Sequence, residues 1–363
     1  MISAQIIKVS IEELQAITRI DLCVLDLNGT VVASTRENEH IDSALITSFA
    51  NSPVDSQVIG DDHLLKIMDE GELAFILIAS GKDETVYTVG KICVSQLQNL
   101  IIAYKERYDR NNFFQNLMLD NLLLIDIYNR AKKLHIDVNV RRVIILIETG
   151  NEKDSTASEL LSGMYTAKSG DYFTAVDENS VILIKSLSQN EDYEDVEKTA
   201  TTIVDMMNTE AMLNVRVAYG TIVDELKDLS KSYKEAKMAL EVGKIFYAER
   251  KVNAYNTLGI GRLIYQLPIN LCNIFIDEIF GAENVLDTLD EETLNTINKF
   301  FENNLNVSET SRQLFVHRNT LVYRIEKLER STGLDIRKFD DALTFKIALM
   351  VSNYMKYLSQ HDF

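Results

Sequence analysis

Tryptophan is absent from this chain of 363 residues, and proline occurs only at Pro53 and Pro268. No Pro-rich or Gly-rich linker can be drawn from so few breakers, so helices are expected to join the domains. Three cysteines, Cys23, Cys93 and Cys272, lie far apart in apolar company. They fit neither metal-ligand spacing nor an even disulfide framework, which implies buried reduced thiols and a cytoplasmic setting. No stretch reaches the ~18 uninterrupted apolar residues of a membrane helix. The start, MISAQIIKVSIEELQAI, lacks the basic and then long apolar run of a signal peptide. Positive charge is in the minority: 37 Lys and Arg against 55 Asp and Glu give a net charge of -18. That balance disfavours nonspecific adhesion to nucleic acid or anionic lipid, so any DNA binding has to be local and weakened by salt. The histidines (His40, His63, His135, His317, His361) are scattered, and no nucleophile–base pair stands out for a hydrolase.

What is present is ample apolar content, 46% against 25% charged, over a length that implies two to four globular domains. The most informative stretch is residues 294 to 336, which reads as three short helices. Leu294, Ile297, Phe300 and Phe301 make the first. Ser308 is placed to cap the second, which carries Thr310, Leu314 and Phe315. Val316 and His317 form a turn, and the third helix runs from Arg318 to about Arg330 before Gly333 stops it. Leu321, Ile325 and Leu328 share its core face. Between residues 312 and 330 five Lys or Arg stand against two Glu, a local excess of positive charge in an acidic chain. A short helix, a turn and a basic helix with polar donors is the layout that enters a major groove. The expected contacts are Arg318, Asn319, Tyr323, Arg324 and Lys327, with His317 and Thr320 serving the backbone or the helix start.

The run Leu314-Phe315-Val316-His317-Arg318-Asn319-Thr320, then Tyr323-Arg324, then Thr332-Gly333-Leu334-Asp335 resembles the C-terminal helix-turn-helix of the CdaR/PucR family. The likeness is continuous from about Leu294 to Met355. It implies a bacterial transcription regulator of sugar-diacid or purine catabolism, working on a double-stranded DNA operator as a homodimer or higher homo-oligomer.

Upstream, residues 3–18 read as an amphipathic helix. Leu22–Leu25 and Val31–Ser34 read as a hairpin about Asp26-Leu27-Asn28-Gly29-Thr30. A helix near 41–50 and strands at 58–67 and 73–79, turning at Gly71, complete a small α+β domain over residues 1–90. Its order resembles the PAS/Cache-like sugar-diacid sensor of one branch of the family. That implies a small anionic effector, a sugar diacid or other carboxylate, for which Arg19, Ser34, Thr35, Arg36 and Lys91 are candidate contacts. From Lys91 to His135 neither Gly nor Pro occurs. Val94, Leu97, Ile101, Tyr104 and Tyr108, then Phe114, Leu117, Asn121, Leu124 and Tyr128, have the spacing of a coiled-coil seam. One helix of about 67 Å and two helices broken near Asn111-Asn112 or Asp120-Asn121 are both compatible with it. Residues 91–136 are accordingly expected to connect or dimerise.

Residues 137–257 alternate strand and helix: strands at 143–147, 172–176, 181–185, 215–219 and 252–255, and helices at 158–166, 192–208 and 229–246. This order implies a ferredoxin-like sheet with helices on one face, and it resembles the GGDEF-like domain of the same family. In an active diguanylate cyclase the central hairpin carries the Gly-Gly-Asp-Glu-Phe signature. Here it reads Ala175-Val176-Asp177-Glu178-Asn179, without the glycines that let a backbone approach a nucleotide. Glu148, ending the first strand, is the one carboxylate kept near a metal-binding position. No enzymatic activity, cofactor or metal is expected. Residues 258–290 read as a helical connector, since Gly259-Ile260-Gly261 lacks the third glycine of a dinucleotide motif. Residues 291–363 form the all-α helix-turn-helix domain, closed by a helix over 342–358. The expectation is thus a multidomain α+β protein: sensor, connecting helix, ferredoxin-like middle domain and DNA-binding domain. An interaction protein whose helix-turn-helix meets protein is the alternative.

Overall fold

The computed structural model describes residues 2–36, 43–149, 160–161, 163, 170–177, 179–281, 286 and 289–360. Two compact units are present. One comprises Met1–Phe114 with Arg130–Ile136, and the other Gln115–Asn129 with Asp137–Phe363.

The first unit is built on a five-stranded antiparallel sheet with strand order β2-β1-β5-β4-β3. Its strands are β1 (Asp21–Leu25), β2 (Val31–Ser34), β3 (Ser56–Ile59), β4 (Asp62–Asp69) and β5 (Glu72–Ser80). Helix α1 (Ala4–Thr18) and helix α3 (Val86–Met118) place Ile7, Ile11, Cys93 and Leu97 in one core with Leu22, Val24, Leu65 and Leu77. Helix α2 (Ser43–Ala50) sets Ile46 and Phe49 on Cys23, Leu25, Leu64 and Ile76 of the opposite face. Successive side chains point to opposite faces, so a strand buried on both sides has to be apolar throughout. The Asp26 carboxylate caps the β1–β2 turn, accepting from the N–H groups of Asn28 (2.9 Å) and Thr30 (2.7 Å). Gly29 takes the φ of 83° that this turn requires.

Three expectations change here. The strand foreseen at 58–67 is two strands, because the chain reverses at Gly60, whose φ is 63°. The helical stretch begins at Val86, breaks after Met118 where Asp120 turns left-handed (φ 57°), and resumes as α4 (Leu124–Lys133). The break therefore lies at Asp120-Asn121. Val94, Leu97 and Ile101 are buried against the sheet of their own unit, not free as a coiled-coil seam. A helix packed on a sheet and a helix packed on its twin need the same three-four spacing, so the pattern alone did not separate them.

In the second unit a sheet runs β10-β9-β6-β8-β7. It consists of β6 (Arg142–Glu148), β7 (Tyr172–Thr174), β8 (Ser180–Ser186), β9 (Arg216–Tyr219) and β10 (Val252–Ala254). The first four strands have the ferredoxin-like order and are antiparallel, and β10 adds in parallel beside β9. Helix α5 (Tyr193–Thr209) starts in a capping box between Asp192 and Asp195 and shares a core with Val143, Ile145 and Ile147. The even-numbered Ile144, Leu146, Ile182 and Ile184 are also buried. Helix α6 (Leu229–Phe246) packs along β6 and β9 with no residue in the α5 core. Both faces are covered, where the sequence suggested one; the unbroken apolar run Val143–Ile147 is the reason. The helix expected at 158–166 falls mostly outside the described residues. The close fit of α6 rests on Gly220, where a Cβ would stand 2.0 Å from the Ser232 carbonyl oxygen. Ser232 itself donates to the Thr221 carbonyl and accepts from the Ile144 N–H.

Among the described residues, six helices follow: α7 (Ile260–Tyr265), α8 (Ile269–Phe280), α9 (Glu291–Glu302), α10 (Val307–Gln313), α11 (Arg318–Thr332) and α12 (Phe339–Gln360). They converge on Cys272, Ile276, Phe300, Leu321, Ile325, Leu328 and Phe345, and Ile245 and Phe246 of α6 pack against that core.

Candidate DNA interface

Asn306 caps α10, its side-chain oxygen accepting from the N–H groups of Ser308 (3.0 Å) and Glu309 (3.1 Å). Ser308, the expected cap, lies two residues beyond the actual cap and sits inside the helix. The helix ends in a paired closure: Val316 N–H donates to the Ser311 carbonyl and Phe315 N–H to that of Arg312. This closure needs a left-handed residue after the helix, and Phe315 supplies it with φ 53°. Phe315 was expected on the second helix; it stands beyond it and is 97% exposed.

His317 caps α11 through Nδ1, which accepts from the Asn319 N–H at 3.2 Å. Gly333 closes the other end in a left-handed conformation, donating to Glu329 at 2.7 Å. Leu321, Ile325, Leu328 and Thr332 are buried on one side. Asn319, Thr320, Tyr323, Lys327 and Arg330 are exposed on the other, within about 100° of arc at 3.6 residues per turn. Arg318 is exposed at the helix start, and the first turn carries no acidic residue. The N–H groups of Asn319, Thr320 and Leu321 are taken by His317, so what faces outward at this end is the Arg318 side chain and the positive end of the helix dipole, an arrangement suited to phosphate.

Arg324 is turned elsewhere. Its guanidinium donates to Thr296 Oγ1 (3.1 Å) and Glu292 Oε1 (2.5 Å) on α9, and only 23% of its side chain is exposed. It braces α11 against α9. Both partners lie about thirty residues upstream, beyond what local spacing reveals. Arg337 acts similarly below the helix, donating to Asp335 (2.6 Å) and Glu329 (2.9 Å). The hydrogen bond from Arg337 holds the Asp335 carboxyl below its usual range.

In the first unit the five candidate effector contacts do not form one cluster. Thr35 Oγ1 accepts from Leu22 N–H and donates to the Leu22 carbonyl, tying β2 to β1. Arg36 Nε donates to Asp21 Oδ2 at 2.6 Å, and Ser34 Oγ accepts from the Arg36 N–H. Arg19 is the exposed left-handed cap of α1. Lys91 lies on α3, its ammonium 5.8 Å from the centre of the Tyr87 ring.

In the ferredoxin-like domain Asp177 caps its own hairpin, accepting from Asn179 N–H (3.0 Å) and Ser180 Oγ (2.6 Å); Glu178 lies outside the described residues. Glu148 accepts from the Lys244 ammonium at 2.5 Å, and Lys244 also reaches Glu241 at 3.0 Å. Burial alone would lower the Lys244 pKa, but these two carboxylates outweigh it and raise it. Glu241 in turn accepts from Tyr357 of α12 at 2.6 Å. The Glu148 carboxylate is thus engaged by a side-chain cation.

Residues 293–351 match the PucR C-terminal helix-turn-helix domain, and residues 122–242 match the GGDEF-like domain. The chain is 26% identical over 363 residues to the carbohydrate diacid regulator of Escherichia coli K12, covering 90% of this chain and 92% of that protein. It is 24% identical over 260 residues to the purine catabolism regulatory protein of Bacillus subtilis 168, covering 67% of this chain and 48% of that protein. To the proline-responsive transcriptional activator PutR of the same bacterium it is 27% identical over 186 residues, 48% of this chain and 44% of that one. These relatives are regulators of transcription. The chain thus carries, in this order, the GGDEF-like domain and the PucR-type C-terminal helix-turn-helix domain that mark the CdaR/PucR family.

Proposed function

We propose that the protein is an effector-responsive, DNA-binding regulator of transcription that carries no catalytic activity of its own. One observation supports this most: α11 buries Leu321, Ile325 and Leu328 on one side and presents Arg318, Asn319, Thr320, Tyr323 and Lys327 on the other. In this reading α11 enters the major groove. Its exposed polar residues meet base edges and phosphates, and His317 holds the helix start. Arg324 positions the helix from behind and does not touch DNA. Two copies of the chain would read two half-sites.

The effector is proposed to be a small carboxylate, a sugar diacid first. The diacid regulator aligns along its own length with this chain, and the sheet order β2-β1-β5-β4-β3 of the first unit suits a PAS/Cache-like sensor. Within it, Asp21 already presents a carboxylate to Arg36. An effector carboxylate would compete with Asp21 for that guanidinium at the end of β2, while the β1–β2 ladder and Thr35 keep the strands paired. The ferredoxin-like domain serves packing and relay, with Lys244 in place of a metal at Glu148.

The test is fluorescence anisotropy of the full chain with duplexes enriched by it from a random pool. The wild type is expected to select a defined sequence and to lose affinity steeply between 50 and 200 mM salt, about 10³-fold or more for six phosphate contacts. Failure to enrich any sequence would overturn the reading. For the effector, a melting-temperature screen against sugar diacids, other hydroxy acids and purine breakdown products is decisive. A ligand at about 100 times its Kd adds about 2.7 kcal/mol, and Arg36→Ala is expected to abolish the gain.

A further inference from the structure

Phe315 has no structural reason to be phenylalanine. Its ring is 97% exposed, so it contributes nothing to the core that Leu314 and Val316 flank on either side. Its backbone is left-handed at φ 53°, a conformation that disfavours any residue with a Cβ and that glycine adopts freely. The closure of α10 through Ser311 and Arg312 uses only the Phe315 and Val316 backbone, so glycine would make the same closure at lower cost. An aromatic ring is held out at the position least suited to carry one.

Its surroundings identify what the ring meets. Phe315 sits two residues before the cap of α11, between the exposed Arg312 and the exposed Arg318. The side chain of Arg312 is 75% exposed and pairs at 2.8 Å with Glu309 one turn back, a solvent-screened contact that a phosphate can displace. An aromatic ring between two arginines at the mouth of the recognition helix complements a polyanion that also offers apolar surface. The major groove has that character: thymine methyl groups on its floor, and deoxyribose edges between the phosphates on its walls.

We propose that Phe315 is a DNA-contacting residue, docking its ring on the apolar surface of the groove wall while the flanking arginines meet phosphate. This rests on the reading of α11 as the recognition helix. It adds an apolar contact to an interface otherwise made of polar and charged groups. The conformation rigidifies the arrangement: the two-bond closure of α10 fixes the ring's starting point relative to α11.

The experiment uses the full chain and the duplex that the wild type enriches, with Phe315→Gly, Phe315→Ala, Phe315→Leu and Arg318→Ala. Phe315→Gly is expected to melt at or above the wild-type temperature, because glycine relieves the left-handed backbone. Its affinity should nevertheless fall about tenfold or more, as loss of one buried apolar side chain implies, with the slope of affinity against salt unchanged. Phe315→Leu should retain most of the affinity. Replacing each thymine by uracil removes only the methyl group. A single uracil that weakens the wild type but not Phe315→Ala assigns the contact to a thymine methyl; loss in Phe315→Ala with no uracil effect assigns it to a sugar edge. Wild-type affinity in both Phe315→Gly and Phe315→Ala, while Arg318→Ala binds weakly, would overturn the proposal and leave the recognition helix standing. If the wild type enriches no sequence, both fall together.

Discussion

Replacing Arg324 with alanine separates a brace from a contact. The guanidinium makes one charge-assisted bond to Glu292 and one hydrogen bond to Thr296, and it is about three-quarters shielded from solvent. Glu292 itself is 71% exposed, so the ion pair is partly screened. A hydrogen bond is worth about 1 kcal/mol net and a screened pair about 0.2–1 kcal/mol. The sum, about 1–2 kcal/mol, would lower the melting temperature by about 3–6 °C in a unit of this size. Well below that transition, at 15 °C, the folded fraction is unchanged and DNA binding can be compared directly. Arg324→Ala is then expected to keep the wild-type slope of log affinity against log salt. Arg318→Ala is expected to lose about one unit of slope, the signature of one phosphate contact. Differential scanning fluorimetry and anisotropy at two or more salt concentrations suffice. A Tm unchanged by Arg324→Ala, together with a slope reduced by one unit, would refute the argument and make Arg324 a DNA contact after all.

Other consequences can be checked on the same protein. Gly220→Ala places a methyl 2.0 Å from the Ser232 carbonyl, and the clash is with backbone, so soluble yield and cooperative melting of the second unit should collapse. Leu328→Ala empties a site that is 2% exposed in the helix-turn-helix core and should cost about 2–5 kcal/mol by denaturant titration. Asp335 is held below its usual pKa by Arg337. Its contribution is therefore complete above about pH 4–5 and is lost as pH falls through the lowered value. Asp335→Asn should be less stable than wild type at pH 7, and the difference should shrink as pH falls through the lowered value of Asp335. Purified protein with GTP and magnesium should yield no cyclic dinucleotide by chromatography.

The helix-turn-helix was legible because its signals are local. The i, i+4, i+7 spacing of Leu321, Ile325 and Leu328, the turn before Arg318 and the stop at Gly333 all act within a few residues. Most strand positions were legible for the same reason. What eluded the sequence depended on distant partners or on backbone sign. Arg324 reads as one more cation on a basic helix until Glu292 and Thr296 are folded beside it. The hairpin at Gly60 was hidden because the flanking residues are apolar enough to pass for one strand. Phe315 was assigned to a helix because an aromatic is a poor signal for a left-handed residue. The sensor candidates fared less well as a group, since Arg36, Thr35 and Lys91 are each engaged by different neighbours.

The final helix, α12, is fastened to the ferredoxin-like domain by more than adjacency. Tyr357 donates to Glu241 of α6, Tyr354 lies 5.7 Å from Tyr265, and Ile245 and Phe246 belong to the apolar core beneath the recognition helix. The DNA-reading end is therefore not a detachable module. Regulators of this architecture could exchange their operator specificity by recombination only if the crossover preserves α6 together with α12. A graft made at the apparent boundary near residue 258 would leave a hydrophobic seam open on both fragments. A change confined to the exposed residues of α11 leaves that shared core intact, whereas replacing the whole domain does not.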